Sequence, residues 1–410
     1  MRLKTIKLST GYVQGSLILF IFLLFFICSC EKEQQTGVAK RVDIVSLQDP
    51  YRSLPGYKFT ASTKTLKLLY EQYGIQGADS LIKYPVSYHR LVYTTTYNGK
   101  QIKASGAIAI PVCPDRSPGI VSYQHGTMFA NRDAPSESIS ADVFPLFNDY
   151  IIFVPDYIGY GESKYILHPY FIYEPCTTPV IDMIKAGKKY LDDNHIPYDH
   201  DKLFLTGHSE GGYVTVAVQK ELEQNPVDGL KVTASAPSAG PYDVELIGNL
   251  ILRENTYPSP AYLILIFSVY NNFYWQRPLT DFFLPDYASN VMNLLSGNYN
   301  EDEINLRLTS NLSWLLDPTF ITNYRDGGEL ELKEAFKLNS VYNWAPHTPT
   351  RLYHGTIDNL VPFEVSQKTY QSFISNGSDT SVVKLVPIPG IGHEYFPAYK
   401  LILKWFETFK

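Results

Sequence analysis

Gly207-His208-Ser209-Glu210-Gly211 fits the pattern G-x-S-x-G, which sets a serine hydroxyl between two glycines. Chance alone supplies that pattern in roughly one chain of this length in ten, so its setting carries the weight. The motif directly follows the apolar run KLFLT and opens the helical pattern YVTVAVQKELEQ. This is the strand, turn and helix that a nucleophile elbow requires. Its tight turn leaves no room for side chains two residues either side of Ser209, and Gly212 adds space where the helix packs back. A serine hydroxyl is a poor nucleophile near neutral pH and needs a base beside it. His393 in PGIGHEYF and Asp358 in HGTIDNLVP supply a base and a carboxylate to orient it. The chemistry implied is acyl transfer: His393 takes the Ser209 proton and returns it to the leaving group. Asp358 fixes the imidazole tautomer and stabilises the transient imidazolium.

A tetrahedral oxyanion needs preformed donors, and losing one costs about 10²–10³ in rate. The backbone N–H of Glu210, next after the nucleophile, is one candidate. The other lies in His125-Gly126-Thr127-Met128, after the run GIVSYQ; the N–H of Thr127 is preferred, with Met128 second. His125 reads as structural, and Asp156 in VPDYIGYGES as the brace of a turn.

These residues need a frame. Residues 60–77 read as a helix. SYHRLVYTTTYNGKQIKASGAIAIPV (87–112) reads as a hairpin turning at Asn98-Gly99, a strong two-residue turn signal. Apolar runs at 119–124, 150–156, 202–207, 231–236, 351–355 and 381–389 read as strands, and 178–194, 210–224, 363–375 and 395–409 as helices. Near-continuous apolar strands separated by helices imply a mostly parallel sheet covered on both faces. In this α/β arrangement Asp358 follows a strand end, where carboxylates point into the crevice of such sheets. Residues 242–348 interrupt the rhythm and are rich in aromatics, among them Tyr257, Tyr262, Phe267, Tyr270, Phe273, Tyr274, Trp275, Phe282, Phe283 and Trp314. A structureless loop of that length does not suit a compact domain, so a helical lid subdomain over the site is expected.

VPDYIGYGES, GHSEGG, HGTIDNLVP and GIGHEYF together resemble the α/β-hydrolase superfamily, in particular its branch of secreted lipases and esterases. The resemblance spans about residues 87–408 and includes the chain order Ser, Asp, His. It implies the α/β-hydrolase fold, nucleophile Ser209, acid Asp358, base His393, hydrolysis of carboxylic esters and an inserted lid. Many members have Gln where this chain has Glu210. A serine peptidase of the prolyl-peptidase kind would use the same triad, with Glu210 as a ligand for a free amine. A surface lipoprotein that binds glycans or apolar ligands without catalysis is a third reading.

At the N-terminus, Arg2, Lys4 and Lys7 precede the apolar run Leu17 to Ile27. That run has the length of a signal-peptide core and falls short of the roughly 20 residues a membrane span needs. Ile27-Cys28-Ser29-Cys30 resembles a bacterial lipobox, which makes Cys30 the candidate for lipidation. Residues 1–29 are then a lipoprotein-type signal peptide, 30–57 a tether and 58–410 the catalytic domain with its insertion at 242–348. Loss of 1–29 moves the formal charge from −6 to −9. An acidic domain without a basic run excludes nucleic acid as a partner. The expected partners are a small-molecule, lipid or glycan ester and, through Cys30, a membrane. An exported cell-envelope lipoprotein, periplasmic or outer-surface and monomeric, is expected. No His/Cys cluster has zinc-ligand spacing, so neither metal nor cofactor is expected. Beyond the leader, Cys113 and Cys176 remain; an exported protein could join them or leave them as thiols.

Overall fold

The computed structural model describes residues 58–72, 81–138 and 148–410. The expected leader at 1–29, Cys30 and the tether to residue 57 lie outside the described residues. Nine strands among the described residues form one sheet in the order β1-β2-β3-β5-β4-β6-β7-β8-β9. β1 (Lys58–Ala61), β2 (Val86–Tyr97) and β3 (Lys100–Pro111) form an antiparallel flank. Asn98 and Gly99 turn the hairpin with φ of 48° and 71°, the two positive angles of a type I′ turn that Asn-Gly adopts most easily. From β5 (Ile151–Pro155) across β4 (Ile120–Gln124), β6 (Leu203–His208), β7 (Val232–Ser238), β8 (Thr350–Gly355) and β9 (Val383–Ile388), all neighbours are parallel. The mostly parallel sheet is as expected.

Side-chain alternation along the strands feeds two cores. Phe153, Leu203, Leu205 and Leu352 face one side, with helices α2 (Tyr173–Asp193), α3 (Glu210–Gln224) and α12 (Phe363–Ser375). Ile152, Val154, Phe204 and Tyr353 face the other, with α1 (Thr63–Gln72) and α13 (Tyr395–Phe406). Period-two alternation buries both faces because both are covered, so these strands read as unbroken apolar runs.

Two helix boundaries differ from expectation. Residues 60 and 61 belong to β1, where Ala61 pairs with Val86 and Phe59 stacks on Tyr88 at 5.0 Å. The helix begins only after Ser62, whose hydroxyl accepts from Thr65 N at 3.1 Å. Conversely, α2 starts at Tyr173 rather than 178. Pro175 falls in its first turn, where an N–H would have no intrahelical acceptor, and the helix also carries Pro179. Cys113 and Cys176 are both free thiols.

Between β7 and β8 lies a run of helices: α4 (Val244–Arg253), α5 (Pro260–Tyr270), α6 (Pro285–Ala288), α7 (Val291–Leu294), α8 (Glu301–Asn305), α9 (Leu312–Leu315), α10 (Pro318–Arg325) and α11 (Leu330–Leu338). The insertion expected at 242–348 is thus helical. Most of its aromatics build its own core: Phe320 packs on Phe267 at 5.1 Å and Phe282 at 5.3 Å, and Phe336 meets Tyr270 edge-on at 4.7 Å. Trp314 instead is 67% exposed. Among the described residues no helix is long and apolar enough to cross a membrane.

Candidate active site

Because β4, β6, β8 and β9 run parallel, the loops at their C-terminal ends gather along one edge of the sheet. Ser209 follows β6, and its φ of 57° and ψ of −122° lie where a side chain is strained. Local sterics force this geometry: a Cβ at either Gly207 or Gly211 would collide with the Gln124 carbonyl oxygen. The elbow therefore presses directly on the end of β4.

The structure brings the three expected residues into one chain of hydrogen bonds. His393 Nε2 lies 2.9 Å from Ser209 Oγ, and His393 Nδ1 lies 2.6 Å from Asp358 Oδ2. A carboxylate only accepts, so Nδ1 carries the proton and Nε2 is free to accept the Ser209 hydroxyl proton. The Asp358 side chain is fully buried. Its Oδ1 accepts from the N–H groups of Leu360 and Val361, each at 2.9 Å. Burial pushes its pKa up, but hydrogen bonds from His354 and His393 and the charge of His393 outweigh burial, and the carboxyl sits well below the usual range.

An apolar pocket opens beside Ser209 and His393. Its walls are Tyr170 and Phe171, Ile247, Gly248, Ile251 and Leu252 of α4, Tyr257, Tyr262, Leu263, Ile266 and Phe267 on and before α5, Phe336 of α11, and Leu360 with Val361. The insertion thus supplies most of the wall, although only three of the aromatics singled out in the sequence take part. Oily walls with one hydroxyl and one imidazole suit an acyl chain or aryl ring next to a reacting carbonyl. Among the described residues, no three His, Cys, Asp or Glu side chains are grouped to hold a metal ion.

The same architecture recurs in solved structures. A Legionella pneumophila protein assigned as a hydrolase superposes with a TM-score of 0.79 at 27% identity, over 87% of this chain and 97% of that one. The chain has the α/β-hydrolase fold. The rice cell wall degrading esterase LipA of Xanthomonas oryzae shares this α/β-hydrolase fold at TM-score 0.72 and 23% identity, over 87% and 96% of the two chains. Candida antarctica lipase A in its closed state does so at 0.60 and 16% identity, over 86% and 81%. No family model matches the chain. A stretch of 59 residues, 14% of the chain, is 36% identical to a non-reducing polyketide synthase from Penicillium brasilianum, spanning 2% of that protein's length.

Within this fold, the expected oxyanion residues lie where the elbow meets β4. A Cβ on Gly126 would come within 3.8 Å of the Ser209 Cβ, and Thr127 and Met128 follow it. Glu210 opens α3, whose first amides have no intrahelical acceptor. The Glu210 carboxylate does not line the pocket, which removes the amine-ligand part it would play in the peptidase reading. It is 1% exposed, and its Oε1 lies 2.6 Å from His168 Nε2. Asp156 is a brace, as its position suggested. It accepts from Ser105 Oγ at 2.5 Å and from Ser136 N and Oγ at 2.8 and 2.6 Å. His125 is buried and packs tilted against Tyr157, ring centroids 4.1 Å apart.

Three histidines near the site went unrecognised in the sequence. His354 Nε2 donates to the Val361 carbonyl at 2.8 Å and lies 3.2 Å from Asp358 Oδ2. His208 Nε2 faces the main-chain oxygen of His393. His168 pairs with Glu210. The first two stand inside the HGTID and GHSEGG motifs and could have been weighed there; His168 stands in SKYILHPYF, which carries no recognisable signal.

Proposed function

We propose that this chain is an exported carboxylic ester hydrolase that acts through an acyl-enzyme on esters with an apolar acyl or aryl group. The observation that carries this reading is the unbroken Asp358–His393–Ser209 hydrogen-bonded chain at the mouth of an apolar pocket. Ser209 Oγ attacks the ester carbonyl while His393 Nε2 takes its proton. The tetrahedral oxyanion is held by the N–H of Glu210 and by that of Thr127, with Met128 as the alternative donor. Collapse expels the alkoxide, which receives the proton from His393. Water then repeats the sequence and releases the acid, restoring Ser209. Asp358, ionised because its folded pKa is depressed, holds the Nδ1 tautomer throughout.

The insertion at 242–348 serves as the lid that shapes the acyl pocket. Structural likeness to a cell-wall-degrading esterase and to a lipase supports the choice of ester over amide. The N-terminal features support a lipid anchor at Cys30 and a tethered monomer in the cell envelope. The test is a rate profile on p-nitrophenyl esters from acetate to palmitate, with Ser209→Ala and fluorophosphonate labelling alongside. Turnover and labelling that both vanish in Ser209→Ala establish the activity. Protein that cleaves no activated ester and leaves Ser209 unlabelled sinks it. Mass spectrometry of the mature N-terminus, with Cys30→Ser as control, tests the anchor.

A further inference from the structure

The connection from Tyr157 to Tyr170, between β5 and α2, is tied at three places to the residues proposed as the oxyanion hole and at a fourth to His125 beside them. Tyr157 donates its hydroxyl to the His125 carbonyl at 3.0 Å, and Tyr160 donates to the Met128 carbonyl. The Tyr170 hydroxyl lies 3.1 Å from Thr127 Oγ1. His168 Nε2 reaches the Glu210 carboxylate at 2.6 Å. One connection thus grips both the loop after β4 and the residue after the nucleophile. It is itself drawn tight: a Cβ on Gly159, whose φ is 102°, would stand 2.6 Å from the His168 Cα. His168 Nδ1 lies 2.7 Å from the Ile158 carbonyl oxygen.

The proton count at His168 follows from its partners. A carbonyl oxygen only accepts, so Nδ1 bears a hydrogen. Nε2 faces a carboxylate oxygen at hydrogen-bond distance, so a second proton lies between them. Burial pushes the His168 pKa down, yet Glu210 outweighs burial and holds it above the ordinary value. The other titratable groups coupled to Glu210 carry no positive charge. Burial drives Tyr157, Tyr160, Tyr170 and Tyr262 and the Cys176 thiol up, and drives His125 down. A lone carboxylate at the first residue of α3 would oppose the negative charge that develops on the substrate oxygen.

We propose that His168 is a positioning residue for ester hydrolysis: as an imidazolium it neutralises Glu210 and clamps the nucleophile elbow to the loop that carries the second oxyanion donor. This rests on the ester-hydrolase reading above. His168 touches no substrate. It acts through Glu210 on the charge and spacing of the donors, so its loss weakens the transition state more than substrate binding.

The experiment compares full-length wild type, His168→Gln and the double variant His168→Gln/Glu210→Gln on p-nitrophenyl butyrate, with fluorophosphonate labelling and melting temperature for each. The expected result is a fall of about tenfold or more in kcat for His168→Gln, with KM within about twofold. The double variant, which removes the uncompensated carboxylate, recovers at least about fivefold of that loss. Unchanged kcat in His168→Gln, or a double variant as slow as the single one, overturns the proposal. Wild type that neither turns over nor is labelled instead removes the ester-hydrolase reading beneath it. Should His168→Gln fail to fold, ¹⁵N NMR of histidine-labelled wild type at pH 7 decides. Two protonated ring nitrogens on His168 support the proposal, and a lone pair on its Nε2 overturns it.

Discussion

His208 Nε2 lies 2.9 Å from the main-chain oxygen of His393, so the residue before the nucleophile holds the backbone of the residue proposed to activate it. A carbonyl only accepts, so His208 Nε2 carries the hydrogen, and Nδ1 faces Ser238 Oγ at 3.2 Å. The two imidazoles also pack at 4.7 Å. Loss of solvation and the neighbouring His393 push the His208 pKa down to about 3, so the donor stays neutral across the working range.

Replacing His208 by Phe keeps the ring contact and removes the hydrogen bond. A hydrogen bond of this type is worth about 1 kcal/mol, so kcat should fall by about five- to tenfold with KM nearly unchanged. Steady-state kinetics on a short ester read this directly; an unchanged kcat would deny His208 any part in holding His393.

Asp358→Asn keeps the shape of the site but favours the wrong imidazole tautomer, and kcat should fall by about 10⁴. The same variant alters acid stability. The folded pKa of Asp358 lies below its unfolded value, so its contribution is complete above about pH 4 and is lost as pH falls below that. Melting curves of the two proteins from pH 7 to pH 3 should therefore begin to draw together below about pH 4. Parallel curves would show that Asp358 is not the depressed carboxylate.

Asp156 runs the other way. Burial, only partly offset by the Ser105 and Ser136 hydrogen bonds, pushes its pKa up to about 6. Stability from this group is fully present below about pH 4 and declines as pH rises through 6, by up to about 3 kcal/mol. Asp156→Asn should flatten that decline while costing stability at pH 4, where the protonated acid is the better partner. Chemical denaturation at pH 4, 6 and 8 measures both effects.

Ile251 lines the pocket from α4, and Ile251→Trp should fill it. On a p-nitrophenyl series, kcat/KM for decanoate should drop by about tenfold or more, with acetate within about threefold. An equal loss at every length would place the acyl chain elsewhere.

The strands were legible because each is a short apolar run bounded by turn formers, and the triad because its members sit at strand ends in motif order. Thr60 and Ala61 misled because strand pairing with β2 overrode a pattern that continues smoothly into α1. The start of α2 was hidden by Pro175 and Pro179, which signal a break unless the first falls in an opening turn. The contacts from His168 to Glu210 and from His208 to the His393 main chain were not legible as pairings. His168 stands 42 residues from Glu210, and His208 stands 185 from His393; nothing in local composition encodes such contacts. The aromatics of 242–348 pointed to a pocket, yet Tyr270, Phe282 and Phe283 serve the insertion's own core, because a folded insertion must first bury its own apolar surface.

Ser209 and His393 stand 184 residues apart, and the proposed base comes last. A ribosome adding about 5–20 residues per second takes about 10–40 s to cover that distance. For that time the emerging chain carries its serine with nothing to withdraw the proton. On the proposed roles, synthesis order itself keeps the chain silent until β9 and the loop after it have left the tunnel.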